Sequence, residues 1–267
     1  MICMHTPCFD KGGHDFAECF RLAAQAGFDC VLLSWYDKDG QDFRTQPEFA
    51  RRAGLQIENI HTPFKIVNGI WEDTAAGQAV FDICLRCVDD CAAYEIPAMV
   101  VHPSFGFENL PPRNELGLDR FKRIVDRAEG LGVNVAMENM LRPEGIARAA
   151  WLLESIDSPR FGLCYDSGHQ HARFVQTPDT DLLARFGHRL MALHLHDNNG
   201  TKDQHLLPFD GTIDWPAQMK AIAETGYRGP LSLEVEARPP YEEGAGLEEF
   251  LARAYERVKR LEALRHA

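Results

Sequence analysis

The chain of 267 residues is long enough to bury a large core, because the fraction of surface that a chain buries rises with its length. Hydrophobic residues make up 45% and charged residues 25%, and no run approaches the roughly 18 apolar residues of a membrane span. The formal net charge of −12 argues against a broad basic face for nucleic acid. We therefore expect a globular protein with neither a membrane nor a nucleic acid as its partner.

Short apolar runs alternate along the chain with longer amphipathic stretches. The apolar runs predict strands at Ile2–His5, Cys30–Trp35, Gln56–His61, Ala98–His102, Asn134–Glu138, Gly162–Asp166, Met191–His196 and Leu231–Val235. The amphipathic stretches predict helices at Asp15–Ala26, Pro47–Ala53, Thr74–Ala93, Leu118–Leu131, Ile146–Ser155, Pro178–Phe186, Trp215–Glu224 and Leu247–Leu264. Several helices are followed by a glycine just before the next strand, at Gly27, Gly54, Gly132 and Gly226.

Eight strands that alternate with helices predict a parallel sheet. Closing this sheet gives one (β/α)8 TIM barrel, with parallel strands inside an outer ring of helices and a single domain over residues 1–267. An open doubly wound sheet is the structural alternative. No glycine-rich phosphate loop follows the first strand, so the dinucleotide-binding form of that fold has little support.

The eight cysteines do not indicate a small disulfide-stapled protein, because the chain is too long for one. The start, MICMHTPC, has no basic segment followed by an apolar one, so we expect a cytoplasmic protein with mostly reduced thiols. Cys84, Cys87 and Cys91 are the one set with metal-site spacing. They also recur at helical spacing with Val80 and Val88, which favours a buried packing face.

Polar residues that can bind metal stand at the ends of six consecutive predicted strands. They are His61, His102, Glu138, Asp166 followed by His169, the pair His194 and His196, and Glu234. Active sites of TIM barrels lie at the carboxyl ends of the strands, so these side chains should converge. Several buried carboxylates repel each other unless a cation compensates them, and mixed His, Asp and Glu ligation suits Mn, Co, Zn or Mg. The pattern predicts a divalent metal site.

Three further features border this predicted site. Trp35 and Phe64 stand at or just past the mouth ends of strands two and three and are candidates for the substrate pocket wall, with His196. His5 stands where a mouth-facing residue of strand one could lie. Asp203 and His205 form a compact pair on a long loop, for which a surface position is the default.

The segment HLHDNNGTKDQHLLPFDGTIDW, supported by YDSGH, VAMEN and LSLEV, resembles the xylose isomerase-like TIM-barrel superfamily. This superfamily contains sugar and sugar phosphate isomerases and epimerases and the type IV apurinic endonucleases. Resemblance to its ketose epimerase branch implies one divalent ion held by Glu138, Asp166, His194 and Glu234. It also implies that Glu138 and Glu234 are catalytic, transferring the proton next to a sugar carbonyl, and that His169 contacts the substrate.

The chain departs from that branch in two ways. The branch carries an arginine shortly after the strand-seven histidine, and residues 197–202 here contain none. The endonuclease branch binds three zinc ions through nine residues, and all nine types occur here in order. They would be His61, His102, Glu138, Asp166, His169, His194, Asp203, His205 and Glu234, so up to three metal ions remain an alternative to one.

We predict a metal-dependent isomerase or epimerase in sugar metabolism, acting on a small sugar or sugar phosphate through a metal-stabilised enediolate. A related metal-dependent dehydratase and a multi-zinc phosphodiesterase of the apurinic endonuclease type are alternatives, as is a non-catalytic ligand-binding barrel that keeps the site as a sensor. No cluster of basic residues forms a phosphate clamp, although Lys65, Arg142, Lys202 and Arg238 could each contribute one charge. The sequence leaves the substrate open, and a homo-oligomer also stays open.

Overall fold

The computed structural model describes residues 1–5, 15–37, 40–106, 110–172, 177–237 and 246–265. Within these ranges it contains eight strands. They are β1 Ile2–His5, β2 Cys30–Ser34, β3 Gln56–His61, β4 Ala98–Val101, β5 Asn134–Glu138, β6 Phe161–Asp166, β7 Leu190–His194 and β8 Leu231–Leu233. Neighbouring strands pair in parallel in the order β8-β1-β2-β3-β4-β5-β6-β7, and a bridge between Leu195 and Leu233 joins the two edges. The predicted (β/α)8 TIM barrel is confirmed.

Helices surround this sheet and connect its strands. They are α1 Phe16–Ala26, α2 Gln46–Arg52, α3 Ala75–Ala93, α4 Glu115–Leu131, α5 Pro143–Ser155, α6 Ser167–Ala172, α7 Leu182–Phe186, α8 Trp215–Glu224 and α9 Leu247–Arg265. The sequence did not predict α6 or the 3-10 helix Phe64–Trp71. The predicted helix over Pro178–Phe186 is a 3-10 turn followed by α7, because the backbone of Asp181 is not helical between them.

Local signals set the ends of several helices. The side chains of Asp15, Thr74 and Asn114 accept a hydrogen bond from a backbone N–H in the first turn of α1, α3 and α4. The four glycines expected after helices all have positive φ. At Gly27 the backbone N–H caps the carbonyls of α1, in a left-handed conformation that only glycine adopts without strain.

The main core lies between the sheet and the helices, and a smaller apolar cluster fills the barrel interior. Cys84, Cys87 and Cys91 are free, buried and part of the main core, as the packing interpretation predicted. Burial raises the pKa of Cys84 to about 12, so this thiol stays protonated.

Five described cysteines are free, and Cys3 and Cys30 form a disulfide. These two residues are direct partners in the register of β1 and β2. Their Cα atoms are 4.5 Å apart, within the range that a disulfide spans. Pairing of the two strands brought these cysteines together, and their separation of 27 residues in the chain gave no sign of it.

Candidate metal centre and active site

Four side chains from adjacent strands meet at the carboxyl end of the barrel. Glu138 ends β5, Asp166 ends β6, His194 ends β7, and Glu234 directly follows β8. All four are at most 9% exposed, and each offers a ligand atom within 4.8 Å of the others. His194 Nδ1 lies 3.3 Å from Glu138 Oε2 and 2.9 Å from Glu234 Oε2. The four residues that the resemblance assigned to one metal therefore form one compact group.

The charges in this four-residue group depend on each other. Burial alone raises the pKa of Glu138 and of Glu234, but the neighbouring histidines outweigh it and hold both pKa values well below the ordinary range. Burial lowers the pKa of His194, whereas Cys164, Glu234 and Glu138 raise it well above its ordinary value. A divalent cation among ionised carboxylates and one imidazole would supply the same compensation. The donor set of three carboxylates and one histidine thus fits a divalent metal.

His61 and His102 also lie against Glu138, at the same carboxylate oxygen that His194 approaches. Their Nε2 atoms are 3.3 and 3.0 Å from Glu138 Oε2, and 3.2 Å from each other. His61 Nδ1 lies 2.9 Å from the Thr62 carbonyl oxygen and therefore donates its proton there. The Nε2 lone pair of His61 is then directed at the site, where it can accept a proton or bind a cation.

Asp203 and His205 line the site, so the default surface position is wrong. The Asp203 carboxylate lies 3.4 Å from His169 Nε2 and 3.2 Å from His205 Nε2. The Nδ1 atom of His169 lies 2.8 Å from the backbone carbonyl oxygen of Asn139. The Nδ1 atom of His205 lies 2.8 Å from that of Glu234. Burial lowers the pKa of His205, but Asp203 outweighs this effect and raises it to about 9.

Asp197 holds the loop that carries Asp203 and His205, and the sequence analysis did not single it out. Its carboxylate accepts hydrogen bonds from the backbone N–H groups of Phe209 and Ile213 at 3.0 and 3.1 Å, and from Trp215 Nε1 at 2.8 Å. A Cβ at Gly211 would overlap this carboxylate. These contacts explain the segment FDGTIDW structurally, and they position the loop over the site.

The prediction that His196 lines the substrate pocket is wrong. His196 lies just beyond β7, is fully buried, and places its Nε2 3.1 Å from both carboxylate oxygens of Asp166. The ring of His205 stacks on it with centroids 4.1 Å apart and covers it from the cavity. Gly168 makes room for it, since a Cβ there would overlap the His196 ring.

His5 reaches the site from β1. Its Nδ1 lies 3.2 Å from Glu234 Oε1, and its Nε2 lies 3.3 Å from Ser34 Oγ. Burial lowers the pKa of His5 to about 4 although Glu234 opposes the shift. A neutral His5 that donates its Nδ1–H to Glu234 and accepts a hydrogen bond from the Ser34 hydroxyl at Nε2 satisfies both contacts.

A cavity of about 360 Å³ opens above the four-residue group. Phe64 lines it, as predicted, and its ring lies 5.3 Å from that of His61. The prediction for Trp35 is wrong. Side chains alternate along a strand, so Ser34 faces the site and the next residue, Trp35, faces the helices, where its Nε1 donates to Asp90 at 2.8 Å.

Within the described residues, no helix combines the length and the hydropathy that a membrane span needs. The family model for the xylose isomerase-like TIM barrel matches residues 20–256. A ketose 3-epimerase from Arthrobacter globiformis is 26% identical over 247 residues, covering 83% of this chain and 79% of its own.

Two further similarities cover most of the chain. An uncharacterised protein from Sinorhizobium fredii is 30% identical over 266 residues, covering 86% of this chain and 83% of its own. The crystal structure of the IolI protein with a bound zinc atom superposes with a TM-score of 0.77 at 17% identity, covering 99% of this chain and 97% of its own. The chain belongs to the xylose isomerase-like TIM-barrel family.

Proposed function

We propose that the protein is a metal-dependent isomerase or epimerase that moves a proton next to the carbonyl of a sugar-like substrate. The observation that carries this proposal is the pair Glu138 and Glu234. Both carboxylates lie at the floor of one cavity and share a metal-binding group with Asp166 and His194. A site that only binds a sugar has no need of two buried proton-transfer groups. The similarity to a ketose 3-epimerase supports the same chemistry.

Glu138, Asp166, His194 and Glu234 would hold one divalent ion of Mn, Zn, Co or Mg. When bound, the ion would polarise substrate oxygens and offset the negative charge that develops beside the carbonyl. One of the two glutamates would remove the proton from the adjacent carbon, and the other would return it. His169 and His205 face the cavity and would orient the substrate hydroxyls, while Phe64 shields one wall from water.

The test begins with elemental analysis of protein purified without chelator or affinity-column metal. We expect about one divalent ion per chain, and exchange of solvent deuterium into the carbon next to the carbonyl of at least one ketose. Glu138→Gln and Glu234→Gln should each slow this exchange by at least about 100-fold, because each removes a proton-transfer group. Glu236→Gln is the matched control, since Glu236 lines the same cavity outside the metal-binding group.

Absence of exchange with every sugar of a broad ketose and ketose phosphate panel would contradict the proposal. Loss of water from the substrate after exchange would instead identify a dehydratase. Both reactions begin with removal of the same proton, so the product decides between them.

The histidines around Glu138 favour a second candidate, a multi-zinc phosphodiesterase. His61 and His102 flank Glu138, and His169 and His205 flank Asp203, so donors for two more cations lie beside the first group. Two or three zinc ions per chain, with nicking of an abasic-site duplex that Glu138→Gln abolishes, would support it. The net charge of −12 disfavours a DNA substrate.

A further inference from the structure

The cavity above the metal-binding group is lined by side chains of both charges. Three carboxylates, of Glu138, Glu234 and Asp203, line it together with the cations of Lys65 and Arg142. Lys65 belongs to the 3-10 helix after β3, and Arg142 directly precedes α5. Two cations from separate elements thus line one cavity in a chain whose net charge is −12.

The amino end of α5 adds hydrogen-bond donors beside Arg142. No side chain caps this 13-residue helix, its first residue is Pro143, and Gly145 in the first turn lines the cavity. Backbone N–H groups in the first turn of a helix have no partner within the helix, and the helix dipole favours an anion there.

Ser104 points independently to a ligand at the same place. It lines the cavity and is only 2% exposed, and its Oγ would lie 3.5 Å from a Cβ built at Gly145. Among the described residues, which leave out 6–14, 38–39, 107–109, 173–176, 238–245 and 266–267, no group hydrogen-bonds the Ser104 hydroxyl. A buried hydroxyl beside an uncapped helix terminus is a donor suited to an oxyanion.

Two acidic residues near Lys65 and Arg142 do not neutralise the positive charge of these two side chains. Glu144 shares the first turn of α5 but is exposed and does not line the cavity. Glu236 lines it on the β8 side, where its backbone N–H donates to the His205 carbonyl. The cavity lining also includes apolar side chains, those of Phe64, Phe105, Leu110, Met140 and Leu141.

We propose that Lys65, Arg142, Ser104 and the first turn of α5 bind an oxyanion of the substrate, a phosphate ester or a carboxylate. The substrate is then an anionic polyhydroxy ketone, with its carbonyl end over the metal-binding group and its charged end at this wall. This inference rests on the proposed function for the identity of the ketone. Arginine and lysine beside a helix terminus are the groups that bind phosphate and carboxylate oxygens.

The first experiment measures binding without turnover. Glu138→Gln, with enough Mn²⁺ to saturate its weakened metal site, is titrated by calorimetry with inorganic phosphate, with a sugar carboxylate and with a terminal ketose phosphate. We expect the ketose phosphate or the sugar carboxylate to bind at least tenfold more tightly than the matched neutral ketose, and the tighter of the two identifies the oxyanion. Lys65→Met and Arg142→Gln, each placed in the Glu138→Gln background, should weaken that binding at least tenfold.

Lys202→Met is the matched control, because Lys202 is exposed on a neighbouring loop and does not line the cavity. The other candidate cation, Arg238, lies outside the described residues. Thermal melting of each variant checks that it is folded. Equal binding of neutral and anionic ketoses, or binding that neither substitution weakens, would overturn the proposal.

The second experiment separates this inference from the proposed function. In the wild-type background, the ratio of kcat/KM for the anionic ketose to that for its neutral counterpart should fall at least tenfold in Lys65→Met and Arg142→Gln. Anion binding that depends on Lys65 without proton exchange on any ketose would leave the anion site standing and refute the isomerase. Exchange on neutral and anionic ketoses alike, with an unchanged kcat/KM ratio in both variants, would support the isomerase and refute the anion site.

Discussion

The mouth of the barrel and its deeper interior shift the pKa of a buried glutamate in opposite directions. At the mouth, Glu138 is surrounded by histidines, which hold its pKa well below the ordinary range in spite of burial. Deeper in the barrel, Glu58 of β3 reaches across the interior, and its Oε2 accepts a hydrogen bond from Ser232 Oγ of β8 at 2.5 Å. Burial raises the pKa of Glu58 to about 7. Burial penalises both carboxylates, so the neighbours decide which one stays charged.

The same contrast separates function from packing. The interior of β4–β7 below the mouth is filled by the small side chains of Val100, Ala136, Cys164 and Ala192. Close packing of this kind supports the fold and offers no chemistry. The mouth collects carboxylates and histidines whose repulsion a cation would relieve. Three substitutions and the addition of a divalent metal should distinguish the mouth of the barrel from its deeper interior.

The largest effect on stability should come from Asp197, which supports the loop over the mouth. Asp197→Asn turns one accepting oxygen into a donor that faces N–H groups, so we expect a loss of about 2–4 kcal/mol in the free energy of unfolding. Urea denaturation measures this loss. Asp210→Asn in the same loop is the control, because Asp210 forms ion pairs with Arg253 and Arg257 near the surface and its substitution should cost under about 1 kcal/mol. Equal unfolding midpoints for the two variants would contradict the role of Asp197.

Divalent metal should stabilise the mouth more than any single surface contact does. At a concentration 100 times its Kd, Mn²⁺ should raise the free energy of unfolding by about 2.7 kcal/mol, because it binds the folded state alone. Calorimetric melting with Mn²⁺ and with chelator measures the difference. Glu138→Gln, which lacks one charged ligand, should show a much smaller difference. A melting temperature that is insensitive to Mn²⁺, Zn²⁺, Co²⁺ and Mg²⁺ would refute the metal centre.

His5 should affect the metal centre without being a ligand. Its contact with Glu234 Oε1 orients that carboxylate, so His5→Leu should weaken Mn²⁺ binding about tenfold. His5→Asn keeps an N–H donor near the Nδ1 position and should recover most of the affinity. Titration calorimetry compares the two variants, and equal affinities would show that the His5 contact does not position Glu234.

The smallest effect concerns Glu58, and it depends on pH. Its pKa is about 7 in the fold against an ordinary value of 4.5, so the buried charge destabilises the protein as pH rises through this window. Glu58→Gln should therefore stabilise the protein at pH 8. The expected gain is only about 1–2 kcal/mol, because water reaches part of the side chain and weakens the penalty on its charge. The gain should disappear below pH 4.5. Urea denaturation at pH 8 and pH 4.5 measures both values, and a gain that does not change with pH would refute the shifted pKa.

The fold class and the strand ends that meet at the mouth were predictable from the order of the residues. The alternation of apolar runs with amphipathic stretches is local, and periodicity reports it directly. Parallel strands in a closed barrel place their carboxyl ends together, so Glu138, Asp166, His194 and Glu234 had to converge once the strands were recognised. This part of the site required no knowledge of packing.

The neighbours that each of these side chains contacts depend on how distant parts of the chain pack together. His194 and His196 share a parity, but β7 ends at His194, and the stacked ring of His205 covers His196. Trp35 is the residue after Ser34, so its side chain lies on the opposite face of the sheet from the cavity and contacts Asp90. Lys65, Ser104 and Arg142 line one cavity although they belong to three separate segments between strands and helices. The disulfide likewise joins Cys3 of β1 to Cys30 of β2. Contacts between residues far apart in the chain arise from strand register and loop packing, which a local sequence pattern does not encode.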